Sequence, residues 1–138
     1  MATYQKFNSF VEAVAEKAHN LGSDTLKIAL CAAANAPTAS NTILANLTEI
    51  SYTNLSARTL TTSSSSQTGG TYKLVLADLS LTAAGGSVSP FRYIIIYNDT
   101  ASNKELIGFY DYGSDVILAD GDQFVIDFDA STGVIQIA

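Results

Sequence analysis

Beyond residue 71 the chain is a succession of short alternating or β-branched runs cut by turn residues, a layout that builds antiparallel hairpins and little else. Phe91 to Tyr97 is apolar except for Arg92 and rich in β-branched and aromatic side chains, which predicts a central strand. Lys104 to Tyr110, Val116 to Ala119, Gln123 to Asp129 and Val134 to Ile137 follow, joined at Tyr112-Gly113, Asp120-Gly121-Asp122 and Thr132-Gly133. Tyr72, Leu74 and Leu76 share one parity, and Leu79 and Leu81 the other, so a bulge or bend is expected at Ala77-Asp78. Upstream, Thr25 to Cys31 alternates with Leu26, Ile28 and Leu30 on one face and Lys27, Ala29 and Cys31 on the other, the pattern of a half-buried strand.

A helix signal precedes these strands. Phe7, Phe10, Val11, Val14, Ala18 and Leu21 recur at three- and four-residue spacing, which predicts one N-terminal helix over about residues 4–21. Ser9 and Glu12 offer a capping box that would start it at Phe10. Thr3 offers an earlier cap, and the periodicity favours that start. Gly22 is the expected terminator, with His19 in the last turn. Residues 32–50 read as a loop with one possible helical turn near Thr42 to Ile50, and the Ser/Thr/Gly-rich residues 61–71 as a flexible tip. The expected fold is mainly β: one domain over residues 1–138, an antiparallel, jelly-roll-like β-sandwich over 24–138 with the helix packed on it.

The 138 residues suit a single core. Charged residues are only 14%, while 29 Ser and Thr dress the surface, which favours exposed β-structure. A net charge of −6 and the absence of a basic stripe argue against nucleic acid. The negative excess is confined to the last third: residues 1–89 carry five basic and five acidic side chains, residues 90–138 two and eight. No apolar run reaches the ~18 residues that cross a bilayer, and no secretory leader is recognisable, so a chain made in the cytoplasm without a membrane partner is expected. One cysteine and one histidine exclude an internal disulfide and a Cys/His metal cluster.

Reactive constellations are sparse. Asp120 and Asp122 have oxygen chemistry suited to calcium, but they lack the rest of a ligand loop, and Asp-Gly is a common tight turn. Thirteen acids offer carboxylate pairs for glycoside hydrolysis, yet no tryptophan platform accompanies them. His19 with Cys31 or a serine lacks a nucleophile elbow or triad context. The reading is therefore a non-enzyme without cofactor. Phe7, Phe10 and Val14 on the helix and Ile94 and Ile96 on the central strand are the candidate contacts with other subunits.

The stretches Ser23-Asp24-Thr25-Leu26-Lys27-Ile28-Ala29-Leu30, Tyr97-Asn98-Asp99-Thr100, Leu106-Ile107-Gly108-Phe109-Tyr110-Asp111-Tyr112-Gly113 and Leu118-Ala119-Asp120-Gly121-Asp122 resemble small virion structural proteins of tailed bacteriophages and prophages. That resemblance implies a virion location after synthesis in the bacterial host cytoplasm. It implies a capsid decoration (cement) role, with the major capsid protein and copies of itself, as dimer or trimer, for partners. A tail- or fibre-associated β-sandwich that binds a receptor or carbohydrate is the alternative. The group has no catalytic residues to carry over.

Overall fold

The computed structural model describes residues 2–138. The chain is mainly β with antiparallel sheets. Its elements are β1 (Tyr4–Lys6), α1 (Phe10–Ala15), β2 (Leu26–Cys31), β3 (Thr62–Thr68), β4 (Thr71–Leu76), β5 (Leu79–Thr82), β6 (Phe91–Asn98), β7 (Leu106–Val116), β8 (Gln123–Ile126) and β9 (Ile135–Ile137). Single 3-10 turns at Ala33–Asn35 and Leu44–Asn46 interrupt the long loop after β2.

β1, β7, β6 and β2 form a sheet in that order, with the apolar run of β6 near its centre. Opposite β6, Ile28 pairs with Ile96 and Leu30 with Ile94, while Ala29 pairs with Ile95 and Cys31 with Tyr93. The two parities feed two separate cores. Ile28, Leu30, Ile94 and Ile96 join a large cluster with Leu74, Leu76, Leu81, Phe91, Ile126 and Ile135 from the other sheets. Ala29, Cys31, Ile95 and Tyr97 join Phe7, Leu106 and Phe109 in a smaller one on the opposite face. β2 is therefore covered on both faces, not half-buried: Ala29 and Cys31, expected on an outer face, are fully enclosed. A strand buried on both sides reads as a continuous apolar run, which is what β6 does.

The remaining strands form a three-stranded sheet, β3-β4-β9, and a two-stranded one, β5-β8. Between β4 and β5 the path breaks where the parity change predicts it. There Ala77 N–H donates to Thr61 O, and the Asp78 carboxylate accepts the Phe128 N–H at 2.9 Å. After the break Leu81 takes the inward position that Leu74 and Leu76 hold before it.

Three local expectations are corrected. The tip at residues 61–71 is mostly paired strand: β3 and β4 are joined through Gly69 and Gly70, both at positive φ (59° and 87°), the geometry of a two-residue hairpin turn. Tyr112-Gly113 is not a turn between strands. Gly113 at φ 93° sits inside β7, its N–H held by Asp111 Oδ1, and the pairing with β6 jumps from Tyr93↔Asp111 to Phe91↔Val116 across the irregularity.

The third correction concerns the helix. Tyr4–Lys6 is a strand on β7, and the helix runs only from Phe10 to Ala15, so the start at Phe10 prevails, although Ser9 makes no side-chain cap bond. Phe7 and Phe10 belong to different cores, so their spacing is that of a strand and a helix in succession rather than of one helical stripe. Lys17, not Gly22, takes the left-handed position, at φ 68°. Its N–H bonds to Val14 O and the Ala18 N–H to Ala13 O, the two bonds of a Schellman closure. A side chain in that conformation is strained, so Lys17→Gly is expected to stabilise the fold by about 1 kcal/mol. Urea unfolding should show a higher midpoint at an unchanged slope.

Candidate interaction surface

The short helix leaves one side of itself bare. Phe10 is buried beneath α1, while Val11 points outward at 55% exposure, beside the free edges of β1 and β9. Between these elements lies a groove of about 670 Å³ lined by Tyr4, Lys6, Val11, Val14, Val134 and Ile137 among others. A smaller depression of about 220 Å³ lies between Tyr110 and Tyr112 of β7 and Phe124 and Val125 of β8, with Ala2 and Asp127 on its lining. Aromatic contacts link the two: the ring of Tyr4 stands 5.6 Å from that of Tyr110, and Tyr110 6.4 Å from Phe128. Tyr4 comes so close because Gly108 beneath it carries no side chain, and a Cβ there would meet the ring. Burial pushes the Tyr110 hydroxyl up to about 12, so it stays neutral across the physiological range.

Val11, Ile137, Tyr112 and Val125 are exposed around these two hollows, four of the five exposed large apolar side chains among the described residues; the fifth, Ile117, lines neither, and apolar patches of this kind mark contact sites. Across the chain the basic groups are unevenly paired. Arg92 binds Asp111 through two bonds (2.8 and 3.2 Å), Lys27 and Lys104 both reach Asp99, and Arg58 lies near Glu49. Among the described residues Lys6, Lys17 and Lys73 form no ion pair, Lys73 donating to Ser131 O.

The predicted contact residues fall differently. Phe7 and Ile96 are fully buried, and Phe10 and Ile94 are 4% exposed, so these four are part of the chain's own cores and are corrected as contact residues. Phe10 and Ile94 show only a small part of themselves at the floors of the groove and the depression, and of the five only Val14, half-buried at the groove, keeps substantial exposed surface. Asp122 holds its own turn, its Oδ2 accepting the Ala119 N–H, while Asp120 Oδ1 ties that turn to the loop after β5 by accepting the Gly85 N–H, both at 3.0 Å. Asp129 caps the following loop, where bonds from Ser131 and Thr132 hold its carboxyl well below the usual range. Cys31 and His19 are not a reactive pair. The thiol is buried in the smaller core, and burial pushes it up to about 11. His19 lies in the loop beyond the helix, its ring 5.4 Å from Phe10.

Two polar nodes escape sequence reasoning. Asn98 is fully buried at the end of β6. Its Nδ2 donates to His19 Nδ1 (2.9 Å) and Asp24 Oδ2 (2.6 Å), and its Oδ1 accepts the Thr100 and Ala101 N–H groups. The second node joins Glu49, Tyr52 and Arg58. Tyr52 donates to Glu49 and accepts the Leu30 N–H, while Arg58 stacks over the Tyr52 ring and donates to Ile28 O. An Asn beside a turn and a Tyr in a loop carry no periodic signal, so pattern reading passes over both.

Because Asn98 donates, His19 Nδ1 accepts and its Nε2 carries the proton. Burial holds the imidazole below its ordinary range, while Glu105 and Asp24 pull the other way. With the native value lowered, the unfolded chain binds more protons, so stability is expected to fall as pH drops below about 6.5. His19→Gln should flatten that limb between pH 7 and 5. It should leave the steeper loss below pH ~4, where Asp99, Asp111 and Asp129, held low by Lys104, Arg92 and the Ser131 loop, become protonated. Urea unfolding of both proteins across pH checks this.

Compared with known protein families, curated proteins and solved structures, the chain matches none.

Proposed function

We propose that this chain is a non-enzymatic structural protein of a tailed-phage virion, a decoration (cement) protein that stabilises the head by binding the major capsid protein in many copies. The observation that carries the reading is the apolar side around Val11, Ile137, Tyr112 and Val125, which gathers four of the five exposed large apolar side chains among the described residues, Ile117 being the fifth. The resemblance of the quoted stretches to phage virion proteins supplies the identity of the partner. Repetition over a closed shell turns a standard-sized contact into a strong cage, so each copy needs only modest affinity.

The body suited to this role is a two-layered, jelly-roll-like sandwich with the helix at one end. In support, β4 and β5 run on from one another across the Ala77-Asp78 break, and β8 and β9 pair with them on the same side. Inward side chains of all three sheets also meet in one cluster. The acidic turns of the last third face solvent in this reading, consistent with Asp120, Asp122 and Asp129 binding their own backbone.

Quantitative mass spectrometry of purified virions tests the role: hundreds of copies are expected. A few copies would favour the tail or fibre, and absence from virions would overturn the reading. Binding to empty shells should change little from low to high salt, and a steep salt dependence abolished by Asp111→Asn, Asp120→Asn and Asp122→Asn together would move the contact to the acidic turns.

A further inference from the structure

The free edge of β1 is set for pairing with itself. In an antiparallel ladder, residues alternate between pairs that exchange backbone bonds with the neighbouring strand and pairs that turn those groups away from it. The Phe7 N–H bonds to Ile107 O, and the register is Tyr4↔Tyr110, Gln5↔Phe109 and Lys6↔Gly108. Gln5, two residues before Phe7, is therefore bonded to β7. The N–H and C=O of Tyr4 and Lys6 face outward, into the groove that both residues line. Pairs of outward donors and acceptors on an exposed edge are a template for another strand.

We propose that two copies of this chain pair through β1 across a dyad at Gln5, with Tyr4 opposite the partner's Lys6 and Lys6 opposite the partner's Tyr4. That register makes both pairs the bonded kind and forms four backbone hydrogen bonds, joining two four-stranded sheets into one of eight. A lysine in an edge strand ordinarily discourages such pairing. Here the dyad sets each Lys6 against a tyrosine instead of against the other lysine.

Charge selects the same arrangement. The groove on the Lys6 side has no Asp or Glu on its lining, whereas the depression on the other side of Tyr4, otherwise apolar and aromatic, carries the single carboxylate of Asp127. An antiparallel dyad brings the groove of one copy toward the depression of the other, so the partner's Lys6 approaches Asp127. The exposed apolar groups Val11 and Val125 leave water together.

This deepens the self-association contained in the proposed function, and the two fail separately: a monomer that still decorates shells sinks the dyad alone. Sedimentation of the full chain over a range of concentrations should show a monomer–dimer equilibrium. Hydrogen exchange should show the Tyr4 and Lys6 amides becoming protected as concentration rises, with Gln5 and Phe7 protected throughout. Lys6→Pro removes an outward N–H, a loss an edge strand accepts, together with the ammonium that approaches Asp127, and is expected to raise the dissociation constant at least about tenfold. If Lys6→Pro disturbs the fold by circular dichroism, charge reversal decides: Lys6→Glu should weaken the dimer, and Asp127→Lys in the same chain should restore it. A monomer at all concentrations, a trimer, or a dimer whose Tyr4 and Lys6 amides exchange freely would overturn the proposal.

Discussion

Asn98→Leu is expected to destabilise the fold by about 3–5 kcal/mol, although the replacement has the same branching and is more apolar. Asn98 and its bond to His19 are shut off from water, while Asp24 and Ala101 are only partly buried and Thr100 is exposed, so the loss falls most heavily on the His19 side. His19 Nδ1, the Asp24 carboxylate and the N–H groups of Thr100 and Ala101 all lose a partner at once. Each unsatisfied buried group costs roughly 1–3 kcal/mol, more for a charge. The Asp24 carboxylate keeps a bond from Asn20 N–H, which puts the sum below four full penalties. The damage extends to strand ends, since the same turn returns the Asp99 N–H to Thr25 O and places Thr100 Oγ1 on the Thr25 N–H. Asn98→Asp is the discriminating control. It keeps the acceptor for Thr100 and Ala101 but sets a second carboxylate against Asp24, so it should be no better than leucine at neutral pH and should recover as the pH falls toward 4. Urea unfolding reads both variants; a loss under about 1 kcal/mol for Asn98→Leu would mean that the turn reorganises and the node is not what holds it.

The strand content was legible because the large core takes side chains of one parity from most strands. Leu26, Ile28 and Leu30, and Leu74 with Leu76, are spaced as a strand demands, and their burial follows. The bend at Ala77-Asp78 was legible for the same reason, since a parity change has few other causes. Residues 4–7 misled because extended chain followed by one and a half helical turns reproduces helical spacing over a short window; only the β7 partner, a hundred residues away, decides for strand. The interior of β7 misled because Tyr112-Gly113 has turn chemistry whether the chain reverses or merely bulges. The contact surface was legible only in part. Val11 and Val14 stood in the helical pattern, but which of its members face outward depends on the length of the helix, and a helix ending at Ala15 exposes Val11 while Phe10 remains inside. Ile94 and Ile96 misled because a strand in the middle of a sheet carries nothing in its own sequence to say whether each face meets the same chain or another.

Phe7→Ala is expected to cost about 3–5 kcal/mol. Phe7 is fully buried in a cluster of seven residues, its ring 5.0 Å from Phe109 and tilted against it. The cost of deleting a ring depends on how far the surroundings close over the space. Here they close little. The backbone of Phe7 is tied on both sides, its N–H to Ile107 O and its C=O to the Phe10 N–H, so the strand cannot sink inward. Ala29 and Cys31 on the floor are too small to refill the volume. Of the partly buried side chains over this core, Tyr93 is held in β6 by its neighbours on both sides, and Leu44 and Leu47 lie in a loop that is itself tied by Leu44 N–H to Lys104 O. Phe10→Ala should cost less, because Phe10 lies beside the open groove, where Val11 and Val14 can settle toward the gap. Cys31 supplies a direct readout. Enclosed in the same cluster with its thiol pushed up to about 11, it should react slowly with a thiol reagent in the parent and much faster in Phe7→Ala, with Phe10→Ala nearer the parent. Deleting residues 1–22 removes Phe7, Phe10 and β1 together, and should leave an aggregating chain. Were Phe7 instead a contact to a neighbouring subunit, its truncation would leave a diluted monomer as stable as the parent. The expected loss is the same at every protein concentration, and a loss that vanishes on dilution would return Phe7 to the interface.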